Sequence, residues 1–191
     1  MIKLTRNTAP DKLTEEFVKK GTEKYKNTKE SVWNVDWLKE ALLDMSNQKC
    51  AYCEGRLDLK SDYMEVEHFR DKKDYPNDVL IWENLLPSCK HCNGNKSSHD
   101  VVSEPIINPF VDVPREHIFL KSYLYKPKDE LGKSTIDVLD LNDCTRLVIA
   151  RCTLGTEINK RLEDRLNEIK DGLTQAGAKK RFKNKMRELM K

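Results

Sequence analysis

The sequence lacks long apolar runs: no stretch exceeds four consecutive apolar residues, as in Val79-Leu80-Ile81-Trp82. A bilayer-spanning helix needs about 20, so no membrane segment is expected. The opening stretch MIKLTRNTAPDK has no apolar core of the length a secretory leader carries. A cytoplasmic protein with reduced thiols is therefore expected. Internal repeats and low-complexity linkers are also missing. Neither charge sign dominates, with 35 Lys+Arg against 32 Asp+Glu and a net charge of +3. Tight binding of nucleic acid by charge alone usually shows a larger basic excess, so weak DNA affinity in isolation is expected. Disorder is excluded by a hydrophobic share of 38% with three Trp, six Tyr and five Phe.

The cysteines carry the first positive signal. Cys50 and Cys53 form one C-x-x-C pair and Cys89 and Cys92 a second, with 35 residues between the pairs. Two matched pairs in a reducing compartment point to one tetrahedral Zn²⁺ site. Four soft sulfurs suit zinc and leave no open position for substrate, so the site is structural. A redox C-x-x-C is the rival reading. Cys144 and Cys152 lie eight apart in a helical stretch and read as buried thiols.

Periodicity predicts helices over 11–27 and 35–46. The second has Asn34 as N-cap and a stripe of Trp37, Leu38, Ala41, Leu42 and Met45. Residues 63–70 alternate like a strand, 71–78 read as a loop, 83–88 as a short extended piece, and CKHCNGNKSS as a turn or short helix. Residues 117–141 read as a small sheet, HIFLKSYLY and STIDVLDL flanking a turn at KPKDELGK. Asn142 can cap a last helix whose later part repeats Leu162, Leu166, Ile169 and Leu173. Leu173 to Lys191 carries +6 against −3 for the remainder. That end can contact phosphates, meet an acidic partner, or be the solvated face of a helix with Phe182, Met186 and Leu189 inward. The expected segments are 1–49 helical, 50–100 the zinc-bearing core, 101–142 irregular with a β extension, and 143–191 helical.

Glu67-His68 ends the first predicted strand, Asn84 opens the next extended piece, and Asn93 follows Cys92. A hairpin crossed by a short helix would gather Glu67, His68 and Asn93 at one cleft. Glu67 and Asn93 offer hard oxygen donors for Mg²⁺ or Mn²⁺, whose few protein ligands leave room for waters and a phosphate. An unperturbed imidazole titrates near neutrality, which suits His68 as a general base. Asn84 can brace the loop and the imidazole, and Lys96 can reach a phosphate. Taken alone, His68 could be structural, Asn93 a turn residue, and Glu65 a solvated carboxylate or a supporting group behind Glu67. His91 could ligate zinc, lie exposed or touch phosphate, and His99 could be an auxiliary metal ligand or an exposed polar group.

The segments CAYC (50–53), EVEHF (65–69), NLLPSC (84–89) and CKHCNGNK (89–96) resemble the HNH endonucleases and their ββα-metal core. The resemblance implies His68, Asn84 and Asn93 at the three signature positions, His68 as general base, Glu67 as metal ligand and the four cysteines on zinc. EVEHFR, YPNDVLIWENLLPSCKHCNGNK, INPF and GKSTIDVLDLN are similar to the HNH subunits of Septu-type and retron-associated anti-phage systems. There the nuclease works beside an ABC- or SMC-like ATPase. Position 71 departs from that group, with Asp where Pro is common. The expected fold is α+β: an HNH core with a zinc knuckle, flanked by terminal helices and a small antiparallel sheet. The expected function is metal-dependent hydrolysis of DNA phosphodiester bonds. The alternatives are a non-catalytic zinc-dependent nucleic-acid adaptor and a pure interaction subunit.

Overall fold

A computed structural model describes residues 1–57 and 64–189. The chain divides into two compact units, Met1–Asp143 and Cys144–Lys191.

The first unit opens with α1 (Glu15–Thr28) and α2 (Asp36–Met45). Helix α1 starts four residues later than periodicity predicts because Thr14 is the true cap, its hydroxyl accepting from the Phe17 amide. Asn34 does not cap α2; Val35 holds that position without a side-chain hydrogen bond. Leu38, Leu42 and Leu43 of α2 are fully buried, so the apolar stripe, not the cap, fixes this helix. Its layer lies on a two-stranded antiparallel sheet, β1 (Met64–His68) and β2 (Leu85–Cys89). The register pairs Glu65 with Ser88, Glu67 with Leu86 and His68 with Leu85. A 3-10 turn, Trp82–Asn84, leads into β2. Arg6 holds that turn, donating to the carbonyls of Trp82 (2.6 Å), Leu85 (3.1 Å) and Glu83 (3.2 Å). Helix α3 (Lys90–Lys96) then crosses the sheet.

Beyond it come α4 (Pro114–His117), β3 (Ile118–Lys121), β4 (Leu124–Pro127) and α5 (Glu130–Val138). The hairpin closes at Ser122-Tyr123, both with positive φ (49° and 66°), the geometry that matches strand twist in a two-residue turn. The expected turn at KPKDELGK and the strand after it are not found. Asp129 caps a helix there, accepting from the Gly132 amide at 2.8 Å. Gly132, Thr135, Ile136 and Leu139 then form a buried helical face, so the 3.6-residue period overrides the β-branched letters of STIDV. A Cβ on Gly132 would stand 2.0 Å from the His117 carbonyl oxygen, so this packing requires glycine. Asn142 caps no helix either: it clamps β4, accepting from the Tyr125 amide (2.8 Å) and donating to its carbonyl (2.9 Å).

The second unit is mainly α6 (Leu147–Leu189), one helix running through Gly177. Leu162, Leu166, Ile169 and Leu173 do follow a helical period, yet they are 49–68% exposed. Met186 is also exposed, at 42%, against the inward packing expected of it; the side chains of Phe182 and Leu189 lie outside the described residues. Cys144 is exposed and Cys152 half-buried, so neither is the core thiol expected. Among the described residues no helix is long and apolar enough to cross a membrane.

Candidate active site

The four cysteine sulfurs of the two pairs lie within 4.8 Å of one another. Cys53 and Cys89 are 3.8 Å apart, far beyond a disulfide bond and close to the ~3.8 Å edge of a tetrahedron with 2.3 Å zinc–sulfur bonds. This donor set fits zinc. Its ligands come from the turn after α2 and from the β2–α3 junction, where the Cys89 sulfur accepts from the Cys92 amide at 3.4 Å and so caps α3. The ion would bolt helix to hairpin.

That junction lays α3 across the face of β1 that carries Glu65 and Glu67. Lys96, fully buried, places its ammonium 2.7 Å from Glu67 Oε1 and donates to the His68 carbonyl at 2.9 Å. The sequence suggests a phosphate contact for Lys96; its charge is instead spent inside the protein. Burial pushes the Glu67 carboxyl up to about 7, with Lys96 pulling the other way. The phenol of Tyr52 is fully buried beside Glu67 and is raised well above its ordinary value by burial and by that carboxylate. Asn93, one turn before Lys96, donates from Nδ2 to Glu65 Oε2 at 2.5 Å. Glu65 is therefore not a lone surface carboxylate. By donor chemistry, the Glu67 carboxylate and the Asn93 carbonyl oxygen are hard oxygens of the kind a divalent cation takes, and in this structure the cation that meets Glu67 is Lys96.

His68 closes β1 with 3% of its surface exposed. Its ring meets Trp33 edge-on at 4.4 Å and 77°, and Nε2 lies 3.1 Å from the Val79 carbonyl oxygen. A carbonyl only accepts, so Nε2 carries the hydrogen and Nδ1 keeps the lone pair. Burial lowers the imidazole to about 4, the Val79 bond opposing. Consecutive strand residues face opposite sides, and within β1 Glu67 meets Lys96 of α3 while His68 meets Trp33 and the Val79 carbonyl.

Asn84 hydrogen-bonds the loop rather than the imidazole. Its Oδ1 accepts from the Arg70 amide (2.7 Å), and its Nδ2 donates to the carbonyls of Arg70 (3.1 Å) and Asp78 (3.2 Å). It closes the loop whose next residue is Val79, and so positions the carbonyl that fixes His68. Asp71 starts that loop, its side chain accepting from the Lys73 amide at 2.8 Å. His91 is not part of the cysteine cluster and lies 3.1 Å from Asn95 and 3.9 Å from Asp143. His99 contacts the Glu104 carbonyl at 2.7 Å. Sequence reasoning missed Trp33, Val79 and the Glu65–Asn93 bond, because none carries a motif. The period-2 alternation that sets Glu65 beside Glu67 was the only hint of the last.

A hairpin and helix joined at a four-cysteine cluster, with an imidazole at the end of the first strand, is the core of an HNH endonuclease, and residues 50–99 match that family. Septu protein PtuB of Bacillus thuringiensis is 48% identical over 186 residues, covering 97% of this chain and 72% of that protein. Septu protein PtuB of Bacillus mycoides (strain KBAB4) is 30% identical, over 55% of this chain and 46% of that protein. The chain belongs to the Septu PtuB family and is a nuclease, which sets aside the non-catalytic adaptor.

Proposed function

We propose that the chain hydrolyses DNA phosphodiester bonds with Mg²⁺ or Mn²⁺, as the nuclease subunit of a cytoplasmic anti-phage complex with an ABC- or SMC-like ATPase. The observation that carries the chemistry is the Val79 bond to His68 Nε2, since it leaves Nδ1 as the one basic nitrogen. Nδ1 takes a proton from water as the water oxygen attacks phosphorus. The bond from phosphorus to the leaving sugar oxygen breaks, and that oxygen takes a proton from solvent.

Burial keeps the imidazole unprotonated above about pH 4. A phosphate drawn alongside would raise its basicity toward the useful range, because a nearby negative charge favours the protonated form. Glu67 and Asn93 would hold the divalent ion, which when bound supplies positive charge to the scissile phosphate and the leaving oxygen. Asn84 works through its loop, keeping Val79 in place. Membership of the Septu family supports the defence role and the partner, and the small net charge supports a partner that supplies much of the DNA affinity.

Plasmid nicking with the partner present tests this reading. Cleavage should need Mg²⁺ or Mn²⁺, stop with chelator, and drop at least about 100-fold in His68→Ala. Equal cutting by His68→Ala would remove the imidazole from the mechanism. Gel shift of the isolated chain should show weak binding at physiological salt.

A further inference from the structure

Glu65 has no part in the chemistry just described, yet its carboxylate takes the amide hydrogen of Asn93 at 2.5 Å, joining residues 28 apart in sequence. An asparagine amide turns about χ2 with two nearly equivalent settings, one presenting oxygen and the other NH₂. Only the oxygen setting can serve a cation. A carboxylate accepts and never donates when ionised, so it selects the setting with Nδ2 toward itself. Two elements hold this pair. Glu65 sits opposite Ser88 in the β1–β2 register, and Asn93 follows the zinc-site Cys92 in α3. Both side chains are half-buried. They therefore remain within reach of solvent and ions.

We propose that Glu65 is a positioning residue for the divalent-ion site: it fixes the Asn93 amide so that Oδ1 faces the ion. This rests on Asn93 being an ion ligand, as read above. It differs from that reading in assigning Glu65 an effect exerted wholly through Asn93. Outer partners of metal ligands typically change affinity 10–100-fold when removed.

The test is Mn²⁺ binding to the zinc-loaded full chain, by calorimetry and by electron paramagnetic resonance, with zinc content and melting temperature recorded for each variant. Glu65→Ala should weaken Mn²⁺ binding about 10–100-fold. Glu65→Gln, whose carbonyl still accepts from the amide, should stay within about threefold of wild type, the usual error of additivity. In an Asn93→Ala background, Glu65→Ala should add no further loss. Equal losses in Glu65→Gln and Glu65→Ala would overturn positioning in favour of direct charge or ligation. An undiminished effect of Glu65→Ala in the Asn93→Ala background would also overturn it. Wild-type Mn²⁺ affinity in Asn93→Ala alone would remove Asn93 from the ion and the proposal with it, a result separable from a failure at Glu65.

Discussion

The two hairpins of the first unit are built on opposite plans. In β3–β4 a two-residue turn joins the strands, and three of the four β3 residues are exposed. In β1–β2 sixteen residues separate the strands, and every residue of β2 is buried. The first hairpin is local, so its loop closure costs little; the second closes a long loop and buries carboxyl, imidazole and ammonium groups. The candidate chemistry gathers on the second and on the turn and helix that flank it. Buried polar groups need partners held from outside the hairpin, which here are Lys96 of α3 and the loop braced by Asn84.

The contrast can be broken most severely at the metal. Stripping zinc with a strong chelator, or Cys92→Ser, should unfold residues 50–96, since structural zinc in small modules contributes about 10–16 kcal/mol. Hydrogen exchange would show protection lost across β1, β2 and α3; retained protection there would refute the clamp.

Next in size is Lys96→Met, which leaves the buried Glu67 carboxylate without its cation. Such half-pairs cost about 3–5 kcal/mol, and the melting temperature should fall accordingly. Adding Glu67→Gln should recover most of it. If the single variant melts like wild type, the ion pair is not what holds the strand end.

The buried imidazole gives an acid-side signature. His68 is lowered to about 4 from an ordinary 6.5, so between those values the unfolded chain binds more protons and stability falls as pH drops from 6.5 toward 4. Glu67, raised to about 7 from 4.5, acts in the opposite sense between 4.5 and 7. Comparing wild type with His68→Gln isolates the histidine. The difference in denaturant stability should change by about 3 kcal/mol over pH 6.5 to 4, with wild type losing more. A flat difference would mean that the ring is solvated.

The smallest effect belongs to the other hairpin. Leu120→Lys on β3, a residue 51% exposed, should alter stability by no more than about 0.5 kcal/mol. A larger loss by thermal melting would mean that the strand is covered.

Legibility in the sequence followed locality. The paired C-x-x-C spacing, the Leu38-Leu42 stripe and Glu67-His68 at a strand end are short-range patterns, and periodicity reads them. The letters of STIDV suggest a strand because β-branched residues favour extension, until Asp129 caps the turn and Ile136 finds a core. The Ser122-Tyr123 turn gives no sign, since neither residue is a usual choice for positive φ. Thr14 and Asn142 show that the same polar letters serve as caps or clamps, according to what lies beside them in space.

The order of residues alone determined the pairing of the four cysteines, the helical and strand periods around them, and the family to which the chain belongs, because each depends on spacing along the chain. Folding in three dimensions decided which nitrogen of His68 keeps its lone pair, which cation meets Glu67, and which carboxylate holds Asn93. Those outcomes depend on burial and on partners from distant segments, and a group's proton and orientation are set by what surrounds it in space.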